Sequence, residues 1–196
     1  MTKKFNPYDK YASSTEISLG EFLIEDWKCE LVEPRHSALH KRASVDPFSG
    51  NIDWAEREKE MFELMHNNLG VGLSATQVSS SYNMFVMRHS FLGDMGVYKP
   101  EILETKGEVD IEEGCLTWPL LFIHIKRPTE IKVRFYKNDG ETQIEMVMDG
   151  IDARCFLHEY DHLQGTNFID IVSDFKLRRA MEKRDKRFKK LERRVK

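Results

Sequence analysis

The stretch ARCFLHEYDHLQGTNF, residues 153–168, contains the pattern H-E-x-x-H at His158, Glu159 and His162. On a helix, residues four apart lie on one face, with their Cβ atoms roughly 5–6 Å apart. Two imidazoles at that spacing can share a metal ion, and a glutamate beside the first can carry protons. The stretch therefore predicts a helix that holds part of a metal site, and the third ligand decides what kind of protein this is.

The whole chain has the length and composition of one domain with a substantial core: 196 residues, 40% hydrophobic and 32% charged. No apolar run approaches the ~20 residues needed to span a membrane, and residues 1–16 lack the apolar centre of a secretory signal. Three cysteines, Cys29, Cys115 and Cys155, favour a reducing compartment over a disulfide framework. We expect a cytoplasmic protein without a membrane partner, while an organelle or a virus-infected host cell stays open as its location.

Basic residues concentrate at the end of the chain. Residues 174–196 contain twelve lysines and arginines against four acidic residues, a local net charge of +8, whereas the whole chain carries −3. This pattern is typical of a solvated helix face, or of a helix that binds phosphates, such as those of ribosomal RNA. We expect a monomer, because Arg184 interrupts any coiled-coil seam in this helix.

Periodicity predicts helices at both ends of the chain and strands between them. Residues 51–70 have helical spacing of apolar side chains, with Asn51 or Asp53 as the cap and Gly70 as the left-handed stop. A last helix begins after Ser173 and continues through residue 195. The segments predicted to be strands or edge segments are 84–88, 97–104, 106–111, 120–125, 130–136 and 142–148, with the turn KNDG, residues 137–140, between the last two. The fold class is therefore α+β: mixed or antiparallel strands around a central helix carrying H-E-x-x-H, with a C-terminal helix.

Three places in the sequence could supply the third ligand. The extension H-E-x-x-H-x-x-G-x-x-H fails, because Phe168 stands where its last histidine should be. Glu182 lies at a plausible distance on a following helix, but within a dense basic run. Cys115, in the stretch EEGCLTWP, residues 112–119, offers a thiolate, which is a strong ligand for a borderline metal.

Three blocks in sequence order resemble the peptide deformylase family: GVGLSATQ at 70–77, EGCLT at 113–117 and HEYDHLQG at 158–165. The resemblance covers roughly residues 30–172 and implies that Cys115, His158 and His162 are the metal ligands. It implies one divalent ion per chain, Fe²⁺ natively, with Zn²⁺ or Ni²⁺ in purified protein. It divides the chain into a partly mobile extension, 1–30, a deformylase-like catalytic domain, 31–172, and a basic helix, 173–196.

The resemblance also implies a reaction. A metal-bound water attacks the formyl carbon of N-formyl-methionine on newly made peptides, and formate is released. Glu159 acts as general base and then acid, while the Gln77 side chain and the Leu116 N–H stabilise the oxyanion. The residues expected to bind the peptide and its methionine side chain are Val71, Gly72, Ile111, Glu113, Gly114, Ile151 and Cys155.

Two departures from the family pattern bear on substrate binding. Trp118 replaces a smaller apolar residue, and Phe122 replaces an arginine that contacts the peptide backbone in many bacterial members. Two other functions stay open at this point. One is an H-E-x-x-H endopeptidase that uses Glu182, and the other is a non-catalytic metal-binding module that associates with ribosomes; retention of Glu159 argues against the second.

Overall fold

A computed structural model describes residues 29–195, so the predicted N-terminal extension lies almost entirely outside the described residues. None of the helices in this part of the chain is long and apolar enough to cross a membrane. The elements in chain order are α1 Trp54–Asn67, β1 Gly72–Ser74, β2 Met84–His89, β3 Gly93–Lys106, β4 Val109–Cys115, β5 Trp118–Arg127, β6 Glu130–Tyr136, β7 Gln143–Asp149, α2 Gly150–Leu163 and α3 Asp174–Val195.

The strands form two sheets. Five strands pair antiparallel in the order β1-β2-β3-β6-β7, and β4 pairs antiparallel with β5 in a separate two-stranded sheet. The KNDG turn joins β6 to β7, and Tyr136 pairs with Gln143 beside it. Within residues 29–195, antiparallel sheets combined with three α-helices, one of them C-terminal, confirm the α+β class.

Each helix covers a different part of the sheets because each has its own apolar face. Side chains of α2, such as Phe156 and Leu163, are buried against the five-stranded sheet. Met61 and Met65 of α1 pack around β1 and the start of β2. The C-terminal helix α3 buries its first turns against β5 in a cluster of Trp118, Leu121, Ile123, Ile125, Phe168, Ile169, Leu177, Ala180 and Met181.

The end of α1 differs from the sequence prediction. Asp53 caps its start, since its side chain accepts a hydrogen bond from the Glu56 N–H. At the other end Leu69, not Gly70, adopts the left-handed conformation, with φ of 57°. The N–H of Gly70 donates to the Met65 carbonyl (2.8 Å) and that of Leu69 to the His66 carbonyl (2.9 Å), which together form a Schellman motif. Gly70 is instead suited to close packing, because a Cβ there would lie 2.8 Å from Leu116 Cδ1.

An irregular segment interrupts the β4–β5 ladder beside the predicted ligand Cys115. Cys115 pairs with Trp118, but the preceding residue, Gly114, pairs with Phe122. Residues 119–121 therefore bulge out of the ladder, and Leu120 has φ of 62°. Only a few per cent of non-glycine residues adopt positive φ, so this backbone conformation must be held by its surroundings. We call residues 118–122 the β5 bulge.

Candidate metal centre

One sulfur and two imidazoles meet between α2 and the end of β4. Cys115, His158 and His162 each offer a donor atom, and these atoms all lie within 4.8 Å of one another. The Cys115 sulfur is 3.2 Å from His162 Nε2. The two histidine rings are 5.0 Å apart at their centroids, as their i, i+4 spacing on α2 predicts.

These residues fit a divalent metal. A thiolate with two imidazoles is a donor set that zinc, iron and nickel accept, and three protein ligands leave a position open. His162 is 1% exposed, and its Nδ1 has no hydrogen-bond partner among the described residues. Its other ring nitrogen, Nε2, lies 3.2 Å from the Cys115 sulfur, so Nε2 is the atom that this histidine offers to a metal. Glu182, the alternative third ligand, lies exposed on α3 and is not part of the cluster.

A buried carboxylate orients the first histidine. His158 Nδ1 donates to Glu113 Oε2 at 3.1 Å, which leaves Nε2 as the nitrogen available to a metal. Arg127 donates two hydrogen bonds to Glu113, of 2.8 and 3.0 Å, and Arg154 donates a third. Burial alone would raise the pKa of Glu113, but hydrogen bonds from His158 and Arg127 outweigh burial and hold this pKa at about 2. Glu113 is therefore ionised at neutral pH.

The two arginines tie this carboxylate to three elements. Arg127, on β5, also donates to Asp161 of α2 at 2.6 Å. Arg154, on α2, donates to the carbonyls of Ile125 and Val109, each at 3.0 Å. Both arginine side chains are only 6% exposed. No short-range sequence pattern predicts a role for either arginine, because their partners lie 14 to 45 residues away.

Glu159 lies beside the cluster with its carboxyl group almost enclosed. The residue is 4% exposed, and burial raises the pKa of its carboxyl group to about 7. A carboxyl group with such a pKa can both accept and release a proton near neutral pH. Gly72 of β1 makes room for it, because a Cβ on that residue would lie 2.5 Å from Glu159 Oε1.

Gln77 points its amide nitrogen at the cluster. Its Nε2 donates to Thr117 Oγ1 at 3.1 Å and to the Cys115 sulfur at 3.5 Å. Its Oε1 accepts from the backbone N–H of Ser74 at 2.9 Å. The side chain is therefore fixed with its donor end toward Cys115, as a group that stabilises an oxyanion would need to be.

An open cleft of about 520 Å³ leads to the cluster. Six of the seven predicted substrate-binding residues line it, and Ile111 does not; Ile111 lies on β4 with 46% of its surface exposed. The lining also includes Leu69 and residues 119–121, which were not predicted, and Trp118 and Phe122, the two departures from the family pattern. The predicted residues that do line it are Val71, Gly72, Glu113, Gly114, Ile151 and Cys155, together with the predicted catalytic residues Leu116 and Glu159 and the ligands Cys115 and His158.

A Cys-His-His cluster next to a buried glutamate, on an α+β fold with an open cleft, defines the class of metal-dependent hydrolases. Comparisons with known proteins identify the family within this class. The family model described as polypeptide deformylase matches residues 29–178. The chain belongs to the polypeptide deformylase family, a family of metal-dependent hydrolases, which confirms the resemblance seen in the three sequence blocks.

Individual relatives agree with this assignment. The chain is 43% identical over 140 residues to a peptide deformylase of Thermotoga petrophila, covering 70% of this chain and 83% of that protein. A peptide deformylase structure from Legionella pneumophila superposes with a TM-score of 0.73 at 30% identity, covering 84% of this chain and 97% of that one. The peptide deformylase structure from Thermotoga maritima superposes with a TM-score of 0.68 at 36% identity, covering 74% of this chain and 97% of that one.

Proposed function

We propose that this chain removes the formyl group from the N-terminal formyl-methionine of newly made peptides and releases formate. The observation that carries the proposal is the position of the buried Glu159 beside Cys115, His158 and His162 at the floor of an open cleft. Hydrolysis of a formamide needs a water nucleophile, a proton carrier and stabilisation of an oxyanion, and each has a candidate at this site.

The ligands would be Cys115, His158 and His162. When bound there, a divalent ion acidifies water toward a pKa of about 7 and acts as a Lewis acid toward a carbonyl oxygen. Fe²⁺ is the proposed native ion, with Zn²⁺ or Ni²⁺ as replacements in purified protein. The mixed set of thiolate and imidazole donors supports these three ions, because all of them accept such ligands. Metal analysis of protein purified without oxygen would identify the ion.

Side chains and backbone groups of the protein would supply proton transfer, oxyanion stabilisation and substrate binding. Glu159 would accept a proton from the attacking water and deliver it to the leaving amine, for which a pKa of about 7 is suited. The Gln77 amide and the Leu116 N–H would donate to the developing oxyanion. The methionine side chain would contact Val71, Ile151 and Cys155, while Gly72 and Gly114 let the peptide backbone approach.

Formate release from a formyl-methionyl tripeptide tests the proposal directly. The enzyme is purified without oxygen, loaded with iron or nickel, and compared with Glu159→Ala carrying the same metal content. We expect release by the wild-type enzyme and a loss of at least about 10²-fold in the variant, the usual contribution of a general acid–base. A folded, metal-loaded wild-type enzyme that releases no formate would rule out this substrate.

The endopeptidase alternative receives no support from the position of Glu182, since it is exposed on α3. It would require a Cys115→Ser variant to keep its metal and Glu182→Ala to lose it. We expect the opposite outcome, which metal analysis of both variants would establish.

Three further features belong to the proposal. We infer that α2 is the central element of a catalytic domain spanning 31–172, which is supported by its contacts with both sheets. We infer a monomer that works in the cytoplasm. We also infer that residues 174–196 contact ribosomal RNA, supported by their charge of +8.

The ribosome contact is best tested on lysines that α3 exposes. Lys183, Lys186 and Lys189 are exposed, so reversing them to glutamate alters charge without disturbing packing. We expect weaker co-sedimentation with ribosomes at low salt, and equal binding by the triple variant would contradict the contact.

A further inference from the structure

The charged face of α3 does not lie wholly in solvent. Arg184 Nε donates to the Pro119 carbonyl at 2.8 Å, and Arg187 Nη1 donates to the Leu120 carbonyl at 3.0 Å. Both carbonyls belong to the β5 bulge, the segment that leaves the ladder next to Cys115. Because residues three apart share a helix face, one turn of α3 holds two consecutive carbonyls of this segment.

The same two arginines also contact aromatic rings at either end of the bulge. The Arg184 guanidinium lies 5.8 Å from the centroid of Trp118, and that of Arg187 lies 4.9 Å from the centroid of Phe122. Arg184 is 5% exposed, and a cation is buried in proteins only when polar or aromatic partners compensate it. Part of this compensation comes from the bulge, through the Pro119 carbonyl and the Trp118 ring, and part from Phe188 of α3, whose ring centroid is 5.0 Å from the guanidinium. Arg184 therefore makes a specific contact and is not a solvated charge.

The bulge needs such support because its conformation is unfavourable. Leu120 has φ of 62° without being glycine, an unfavourable state that persists only where the surroundings determine it. The Leu120 carbonyl is the group that Arg187 binds. The contact therefore acts at the residue whose backbone is strained.

The position of the bulge relates this contact to the substrate. All five of its residues line the cleft. Phe122 is 40% exposed at the rim and its ring packs on Gly114, since a Cβ there would be 3.0 Å from Phe122 Cε1. Ile151, Cys155 and Glu159 line the cleft from α2, so the bulge contributes a separate wall of the same cleft.

We propose that Arg184 and Arg187 are positioning residues of the substrate cleft: they hold the β5 bulge in the strained conformation that forms the wall for the peptide after formyl-methionine. The inference rests on the proposed deformylase function and adds a second role to a helix whose charge alone indicates phosphate binding. It assigns peptide affinity, not proton transfer, to the C-terminal helix.

The test compares Arg187→Met with Lys183→Met in the full-length, metal-loaded enzyme. Each variant removes one positive charge from α3, but Lys183 is exposed, and within residues 29–195 only Arg184 and Arg187 of α3 are seen to donate hydrogen bonds to the bulge. Two substrates are used: a formyl-methionyl tripeptide, and formyl-methionine amide, which ends after the first residue. Arg184→Met is made in parallel, and Arg187→Lys tests whether a smaller cation restores the contact.

We expect Arg187→Met to raise KM for the tripeptide by about three- to tenfold, the usual size of the effect of losing one hydrogen bond. Its kcat, its metal content and its KM for the amide should match those of the wild type. Arg187→Lys should recover part of the tripeptide KM, because lysine keeps a donor but loses the planar stacking on Phe122. Hydrogen exchange of a peptide covering 118–124 should be faster in Arg187→Met and unchanged in Lys183→Met.

The outcomes separate this inference from the proposed function. A wild-type enzyme without any formate release would count against the function itself. Normal wild-type turnover with the same tripeptide KM and the same exchange in Arg187→Met would overturn the inference. A fall in thermal midpoint without a change in KM would also overturn it, since α3 would then be only a structural support. If Arg184→Met yields no folded protein, the half-buried Arg187 still decides the result.

Discussion

At the scale of single residues, Gly72 shows how closely the catalytic glutamate is packed. A Cβ at this position would lie 2.5 Å from Glu159 Oε1 and 2.7 Å from Cys155 Sγ. Real Cβ atoms do not approach other atoms so closely, so the carboxyl group would have to move. An active site that misplaces a catalytic group by about 1 Å can lose on the order of 10²-fold in rate.

We therefore expect Gly72→Ala to lower kcat by about 10²-fold. The measurement is formate release at saturating substrate. Gly93→Ala is the control, since Gly93 has φ of 75° and open space around its Cβ position. That variant should lose about 1 kcal/mol of stability through backbone strain but keep its activity. Equal kcat in both variants would show that Glu159 tolerates displacement.

At the scale of elements, the Glu113 carboxylate joins α2, β4 and β5. Its partners are His158, Arg127 and Arg154, and all four side chains are at most 10% exposed. Removing one partner of a buried charge network leaves the others uncompensated, which typically costs about 3–5 kcal/mol. The network thus both supports a metal ligand and joins α2 to the two-stranded sheet.

We expect Glu113→Gln to lose about 3–5 kcal/mol of unfolding free energy at neutral pH. The folded pKa of about 2 is below the usual value of 4.5, so the carboxylate contributes fully above about pH 4.5 and its contribution is lost as the pH falls through about 2. Urea unfolding of metal-free protein between pH 7 and pH 3 measures both effects. The wild-type stability should fall with acid more steeply than that of the variant, and parallel curves would contradict the assignment.

The C-terminal helix is joined to the same part of the fold by its apolar face. Leu177, Ala180 and Met181 are buried against Trp118 and neighbouring β5 side chains. We expect deletion of 174–196 to remove about 3–6 kcal/mol, since fully burying one large apolar side chain contributes about 1.5–3 kcal/mol. Deletion of 192–196 alone should change stability by less than about 0.5 kcal/mol.

Thermal unfolding and soluble yield of the two truncated proteins measure this difference. Equal midpoints for both would show that α3 is dispensable to the fold. Because deleting the whole helix is expected to lower stability, that deletion cannot separate ribosome binding from folding. Replacing the exposed lysines of α3 with glutamate can separate them.

At the scale of the whole molecule, the metal site joins segments that are distant in the sequence. Cys115 ends β4 and the two histidines lie on α2, 43 and 47 residues later. A ligand that binds only the folded state stabilises it, by about 4 kcal/mol when its concentration is 1,000 times its dissociation constant. Loss of the metal should therefore lower the stability of the entire fold.

We expect chelation to lower the thermal midpoint by roughly 8–16 °C, given about 2–4 °C per kcal/mol for a chain of this size. Cys115→Ser should have a low midpoint before chelation and respond little to it. Cys29→Ser is the matched control: burial raises the pKa of Cys29 to about 12, so its thiol is a poor ligand. A Cys115→Ser protein that retained stoichiometric metal would contradict the ligand set.

Local sequence patterns predicted much of this architecture because the relevant interactions span only a few residues. Alternation predicted β6 and β7, KNDG predicted their turn, and the capping aspartate at 53 was among the predicted alternatives. The short strand β1 and the left-handed Leu69 were missed. Three residues carry no measurable period, and a leucine is not a favoured residue at positive φ, so only packing and hydrogen bonds with the rest of the chain determine them.

The sequence by itself determined the family, the α+β class and two histidines suited to bind a metal, because these depend on residue types at short fixed spacings. Cys115, 43 residues before His158, was implied only by the family resemblance. Only the tertiary structure decided which side chains surround these residues. It placed Arg127 and Arg154 on Glu113, left Ile111 out of the cleft, and held the β5 bulge against Arg184 and Arg187 of α3. Those contacts join residues 14 to 67 positions apart, and their strength comes from burial and from directed hydrogen bonds, which exist only once the chain has folded.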